Sequence, residues 1–291
     1  MTTIKTILAT ASGGSATGGA IELACRFARR FEAHVEGFHA KPDLFQLLQY
    51  DAGIGSSLSE TYIEKFTADA NAAAETVQAQ FVAALGRHGM DLAPRGADAL
   101  PGAIGASAVW REETGYGPAL VARRSRFFDL VVLGRSERAI DQMHSDAVEE
   151  TLVLSGRPVL LAPANAPESV GEHVAVGWNG SVEAVRAMTA ALPFLVTARE
   201  TLIVSIGDRH HDSARSAIDY LAWHDVKAKH VKVPTRTDLA VGHQLLRAAS
   251  EEGADLLAMG GYGHMPWREF LFGGATRDVI ASSLLPVLLT H

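Results

Sequence analysis

The sequence predicts an α/β protein built from two tandem domains, each a doubly wound, Rossmann-like sheet of five parallel strands. Three observations lead to this prediction. The chain has 291 residues, which fits two domains of about 100–200 residues each. The pattern Asp, four apolar residues, Gly occurs at 129–134 and again at 255–260, and a Pro-Val-Leu-Leu sequence follows each copy, at 158–161 and 286–289. Within each half, short apolar runs alternate with longer segments of helical periodicity, as in βαβ units.

The two halves meet in a proline-containing segment, 163–169. Its small polar residues neither extend a strand nor begin a core helix. We therefore place an N-terminal domain at 1–165 and a C-terminal domain at 170–291. The N-terminal domain carries extra length at 42–58, before an alanine-rich helical segment from Glu60 to Arg87.

The elements of the second half follow from its alternating apolar and polar stretches. We predict strands at 173–178, 201–206, 227–233, 255–260 and 286–290, and helices at 182–196, 212–223, 238–252 and 274–283. Asp238 is interpreted as the N-cap of the third helix, because small and apolar residues follow it at helical spacing. Asp212 is interpreted in the same way as the cap of the second helix.

Composition excludes several classes of protein. The 26 Lys and Arg against 33 Asp and Glu give a net charge of −7, which disfavours nucleic acid or an acidic membrane surface as a partner. A single cysteine, Cys25, excludes an intrachain disulfide and fits a reducing compartment. The chain has no signal-peptide pattern and no uncharged apolar stretch of 18 residues, so we expect a soluble cytoplasmic protein.

Twelve histidines raise the question of a metal site. The densest group is the pair His210 and His211, with Asp208 and Asp212 nearby. A metal site needs three or four converging ligands, and adjacent residues rarely direct two rings at one ion. We therefore predict no metal site. Catalytic motifs of hydrolases are also missing from the sequence, so no catalytic residue is assigned.

The most informative local pattern is a series of glycines in the second half. Gly260 ends the fourth predicted strand, and Gly263 follows it. Nine residues then separate Gly263 from Gly273, which stands directly before Gly274 at the start of a helix. Glycines let a backbone approach a ligand closely, and a helix N-terminus favours a phosphate. The alternative is a glycine-rich turn that serves only the fold.

Together, the repeated strands, the paired closing sequences and the glycine series resemble the universal stress protein family, in particular its tandem type, over essentially the whole chain. The resemblance implies a fold like that of the adenine nucleotide alpha-hydrolases. It also implies an adenine nucleotide such as ATP as ligand, with Mg²⁺ only if ATP is bound. The residues it assigns to binding lie in the second half: Asn179, Gly180, Ile206, Gly260, Gly263, Gly273, Gly274, Ala275 and Thr276.

The chain departs from the family pattern at two of these positions. Asn179 stands where the nucleotide-binding members have Asp, and Gly274 stands where they have Ser or Thr. The resemblance therefore implies weakened nucleotide binding in the second half. In the first half Glu137 replaces the second glycine and the first strand ends without an acidic residue, so we expect a copy that does not bind nucleotide.

The resulting expectation is a binding and regulatory protein of the stress response rather than an enzyme. Two alternatives are open: a weak ATP-hydrolysing enzyme that uses the same pocket, and an interaction scaffold without nucleotide. The resemblance also implies that the closing strands, 158–162 and 286–290, face each other in an intrachain pseudo-dimer. It identifies no protein partner, and a homodimer through another surface, such as 42–58, is left open.

Overall fold

The computed structural model describes residues 3–12, 17–44, 59–92, 105–135, 142–261 and 274–291. The chain divides into two compact units. One comprises Ile4–Arg157 with Ala164–Ala166, and the other comprises mainly Pro158–Pro163 and Pro167–His291.

The first unit contains a parallel sheet in the order β3-β2-β1-β4. Its helix over Glu60–Arg87 has the predicted limits, and the Ser59 hydroxyl caps it by accepting a hydrogen bond from the Tyr62 N–H at 3.3 Å. Most of the 42–58 insertion lies outside the described residues. The elements in chain order are β1 Thr6–Thr10, α1 Thr17–Phe31, β2 His34–Pro42, α2 Glu60–Arg87, β3 Ser107–Gly115, α3 Gly117–Ser125, β4 Leu130–Gly134 and α4 Gln142–Ser155.

The second unit contains a sheet in the order β5-β10-β9-β6-β7-β8. Within the described residues its strands pair in parallel, except for the two closing strands, β5 and β10, which run antiparallel with Leu160 opposite Leu288. The elements are β5 Val159–Ala162, β6 His173–Gly177, α5 Val182–Leu195, β7 Glu200–Ile206, α6 His211–Ala222, β8 Ala228–Val233, α7 Val241–Glu251, β9 Leu256–Gly260, α8 Gly274–Ser282 and β10 Val287–Thr290.

The predicted α/β fold, with its repeated parallel strands, is confirmed, and two predicted helix caps are wrong. Helix α7 begins at Val241 after Ala240, because Asp238 instead forms a two-bond ion pair with Arg236 at 3.0 and 2.6 Å. Helix α6 has His210 as its N-cap, and Asp212 lies inside its first turn. In both cases the acidic residue is close to the helix start but is not the residue that caps it.

The central strands of both units are buried on both faces. In β1 the consecutive residues Ile7, Leu8 and Ala9 have no exposed surface, and in β6 the same holds for Val174, Ala175 and Val176. This is the pattern expected of a parallel sheet covered by helices on both sides. Cys25 lies in α1 with no exposed surface, and burial raises the pKa of its thiol to about 12, which makes it an unreactive core residue. In the described ranges, no helix combines the length and apolar character needed to cross a membrane.

The repeated Asp of the two halves has the same structural role in each. The carboxylate of Asp129, just before β4, accepts hydrogen bonds from the backbone N–H groups of Lys5 and Thr6 at 2.9 and 3.0 Å. The carboxylate of Asp255, just before β9, accepts from Gly171, Glu172 and His173 at 2.8–3.1 Å.

These two carboxylates join the starts of neighbouring strands. The Asp129 N–H donates to the Thr6 carbonyl, and the Asp255 N–H donates to the His173 carbonyl. Each aspartate thus accepts hydrogen bonds from the adjacent strand through its carboxylate and donates one through its backbone N–H. A hydrogen bond to a charged acceptor stabilises more than one between neutral groups. The repeated Asp therefore fixes the register of β4 on β1 and of β9 on β6.

We expect Asp255→Ala to lower the free energy of unfolding by about 3 kcal/mol, because three charge-assisted hydrogen bonds are lost from a half-buried position. Asp255→Asn should cost roughly half as much, because its amide oxygen can replace Oδ1 but its NH₂ would face the Glu172 N–H. Urea unfolding measures both variants. Asp219→Ala, on the exposed surface of α6, is the matched control, and equal stabilities for all variants would contradict the role assigned to Asp255.

Candidate functional site

The candidate site lies at the carboxyl ends of β6 and β9. From β6 the chain adds β7 and β8 on one side and then returns to add β9 on the other side, so β6 and β9 flank the point where the strand order reverses. Ligands bind outside the carboxyl ends of strands at such a point. Gly177 pairs with Met259 in this register, which brings the loop after β6 and the loop after β9 to the same edge.

The loop after β6 is a tight polar turn. The Asn179 side-chain oxygen accepts a hydrogen bond from the Ser181 N–H at 3.0 Å, and Gly180 has a φ of 72°, which favours glycine. The Ser181 hydroxyl caps α5 by accepting from the Ala184 N–H at 3.2 Å. Because the Asn179 oxygen is used within the turn, the exposed side chain offers its NH₂ group, a donor, to a ligand.

Helix α6 supports this loop from the side. The indole N–H of Trp178 donates to the Ser213 hydroxyl at 3.1 Å, and that hydroxyl donates to the His210 carbonyl at 3.1 Å. A Cβ atom at Gly180 would lie 3.2 Å from the same hydroxyl oxygen. Sequence reasoning did not connect Ser213 and His210 with this loop, because nothing in their local pattern shows that the start of α6 contacts the loop after β6.

Gly260 is a glycine for a different reason from the one the sequence suggests. A Cβ atom there would lie 2.5 Å from the carbonyl carbon of Glu183 and 2.8 Å from the Ala184 nitrogen, so the start of α5 packs directly on the end of β9. Packing against α5 therefore accounts for this glycine, and its assignment to a nucleotide site stays a prediction. Its neighbour Gly261 donates its N–H to the Thr290 carbonyl at 2.7 Å, which fixes the chain where it leaves β9.

The start of α8 packs against its neighbours, while its first residue is exposed. Thr276 is buried, and its methyl group lies 3.5 Å from the Cβ position of Gly261. The carbonyl oxygen of Ala275 lies 2.5 Å from the Cβ position of Gly242 on α7. In contrast, Gly274 is exposed, and no atom of the described residues lies within 4 Å of the position that its Cβ would take. The helix start is thus held in place while its first residue is exposed.

The structure describes seven of the nine residues assigned by the resemblance, and all seven lie at this carboxyl edge. Asn179, Gly180 and Gly274 are exposed, and Ile206 is half-exposed at the end of β7. The remaining three, Gly260, Ala275 and Thr276, take part in packing as described above. Gly263 and Gly273 lie outside the described residues.

Comparison with known proteins gives a consistent picture. No protein-family model matches the chain. The chain is 27% identical over 167 residues to the curated universal stress protein Slr1230 of Synechocystis sp., a match that covers 55% of this chain and 57% of that protein. A universal stress protein structure from Archaeoglobus fulgidus superimposes with a TM-score of 0.71 at 14% identity, covering 98% of this chain and 97% of that one.

A putative universal stress protein from Pseudomonas aeruginosa superimposes with a TM-score of 0.57 at 11% identity, covering 99% of this chain and 93% of that one. The chain has the fold of the universal stress proteins, and part of its sequence is similar to one of them. The solved structures show that the universal stress fold extends over both halves, and the sequence match spans little more than half of the curated relative.

The polar cluster beside the site is built around two histidines. The rings of His211 at the start of α6 and His230 on β8 are 5.4 Å apart, and His230 Nε2 lies 2.9 Å from the Ser205 hydroxyl oxygen. Asp208 forms an ion pair with Lys232 at 2.6 Å. Of the group singled out in the sequence, Asp208 thus has a lysine as its ion-pair partner. Among the described residues, no group of three or more His, Cys, Asp or Glu side chains is placed to hold a metal ion.

The corresponding edge of the first half has different chemistry. The Ala11 N–H donates to the Phe38 carbonyl as the Trp178 N–H donates to the Val204 carbonyl, so His39 corresponds to Ser205. His39 is buried, its Nδ1 donates to the Ala11 carbonyl at 2.5 Å, and its ring lies parallel to that of Trp110 at 6.4 Å. A bulky imidazole thus stands where the second half has a small hydroxyl side chain. Glu137 lies outside the described residues.

We expect Gly242→Ala to lower the free energy of unfolding by about 1–3 kcal/mol, because the new methyl group would overlap the Ala275 carbonyl and push α8 away from α7. Urea unfolding measures the change. Gly86→Ala in α2, where no atom lies within 4 Å of the Cβ position, is the matched control and should gain about 0.5–1 kcal/mol. The same effect in both variants would contradict a close contact between α7 and α8.

Proposed function

We propose that the C-terminal half of this protein binds one adenine nucleotide at the carboxyl ends of β6 and β9, and that the protein acts by binding and regulation in the cytoplasmic stress response. The observation that carries the proposal is the start of α8, where an exposed Gly274 begins a nine-residue helix at the edge of the sheet where the strand order reverses. The proposed domain limits are 1–165 and 170–291.

The first turn of α8 supplies groups that suit a phosphate. The first N–H groups of a helix have no partner within the helix, and the helix dipole places positive charge there. Gly274 has no side chain to cover these groups. Because Ala275 packs on α7 and Thr276 packs on the end of β9, the helix start is already ordered before a ligand arrives, and binding need not include the entropic cost of ordering it.

Asn179 supports binding more than hydrolysis. Its NH₂ group can donate to an acceptor of the nucleotide, while its oxygen stays in the turn with Ser181. An amide at this position lacks the negative charge with which a carboxylate would help to hold Mg²⁺. We therefore rank ATP hydrolysis below simple binding for this site.

The direct experiment is mass spectrometry of the small molecules released when freshly purified protein is denatured, followed by calorimetric titration with ATP with and without Mg²⁺. We expect an adenine nucleotide at about one per chain, or saturable binding of added ATP at that stoichiometry. A protein that is empty and ignores added ATP would overturn the proposal and favour a scaffold without nucleotide. Two nucleotides per chain would contradict the assignment to the C-terminal half alone.

We expect Gly274→Val to weaken ATP binding by about tenfold or more, because a branched side chain would fill the space in front of α8 and block charge-assisted hydrogen bonds to phosphate. Calorimetric titration measures the change. Gly18→Val is the matched control, since Gly18 also lies at a helix start with no atom within 4 Å of its Cβ position, but in the first half. Equal loss in both variants, or no loss in Gly274→Val, would place the site elsewhere.

A further inference from the structure

The loop after β6 depends on the start of α6, and the start of α6 carries a histidine pair. His211 is the first residue of α6, and its ring lies 5.4 Å from that of His230 on β8. His210 and Ser213, on either side of His211, hold the loop through the Ser213 hydroxyl, which accepts from the Trp178 indole and donates to the His210 carbonyl. Proton binding by the pair thus acts on the residues that position the proposed nucleotide loop.

We propose that the His211–His230 pair makes nucleotide binding sensitive to pH: protonation of the pair loosens the start of α6 and, with it, the loop over Trp178–Ser181. The inference rests on the nucleotide site proposed above and adds a mode of regulation to it.

The surroundings of the pair oppose a second positive charge. His230 shares β8 with Lys232, faces His211 from α6 and bonds the neutral Ser205 on β7. His211 lies at a helix N-terminus, where the dipole also disfavours a cation. Asp208 interacts with both His211 and Lys232, and it is paired with Lys232 at 2.6 Å. A proton on His230 meets repulsion from His211 and Lys232.

The sign of the pH effect follows from these contacts. Burial, with His211 and Lys232 adding to it, lowers the pKa of His230 below its ordinary value of about 6.5. A histidine with a lowered pKa stabilises the folded arrangement above the ordinary value and loses that contribution as the pH falls below it. The folded arrangement at the start of α6 should therefore be stable at pH 8 and less stable below about pH 6.5.

The test is calorimetric titration with ATP at pH 8 and pH 5.5. We expect the affinity of the native protein to fall roughly fivefold to tenfold at the lower pH, after correction by a variant that shares the titration of ATP itself. That variant is His230→Gln, in which the glutamine amide can still bond Ser205 but cannot take up a proton. Any change in its affinity between the two pH values reports the titration of ATP itself.

His224→Gln is the matched control, because His224 is an exposed histidine at the far end of α6, in ring contact with Tyr220. It should keep the full pH dependence of the native protein. The inference would be overturned if the native protein bound ATP equally well at both pH values or more tightly in acid. It would also be overturned if His230→Gln lost as much affinity at pH 5.5 as the native protein does. If the native protein binds ATP at neither pH, the nucleotide site itself is wrong and the inference falls with it.

A second readout needs no nucleotide. NMR titration of the histidine ring signals should give His230 a pKa below its ordinary value in the native protein, because burial and the neighbouring His211 and Lys232 oppose a positive charge. A His230 pKa at or above the ordinary value would overturn the inference even where ATP binding is intact.

Discussion

The contact on which the candidate site depends most is the hydrogen bonding of Asp255 to the start of β6. Its carboxylate accepts three backbone N–H groups from 171–173, and this fixes β9 beside β6 in one register. A slip of one residue would turn every side chain of β9 to the opposite face of the sheet. The site at the other end of these strands therefore depends on a bond made about five residues earlier. Asp129 performs the same function in the first half.

That register explains the glycines of the second half. Gly177 and Gly260 lie one step apart on paired strands and so face opposite sides of the sheet, where one meets Leu245 of α7 and the other meets Glu183 of α5. Gly242 then lets α7 approach α8. Gly274 differs from these glycines, because no close contact within the described residues requires a glycine there. It is therefore the glycine that we assign to a ligand.

Much of this could be predicted from the sequence. The repeated Asp-apolar-Gly pattern and the periodicity of the second half gave the strands and helices, because short-range patterns of buried residues determine them. The caps of α6 and α7 could not be predicted. Asp238 forms an ion pair with Arg236 instead of capping α7, and α6 begins one residue before Asp212. The support of Trp178 by Ser213 and the contact between His211 and His230 join residues 19–35 positions apart, and only the folded chain brings them together.

The central claim is that nucleotide binding belongs to the second half alone, between the loop after β6 and the start of α8. The most direct test is to follow the backbone amide signals by NMR while ATP is added. We expect shifts at Asn179, Gly180 and Gly274, and none at Ala11 and Ser12, which directly follow the equivalent strand β1 of the first half. Shifts centred on Ala11 and Ser12, or no shifts at saturating ATP, would contradict it.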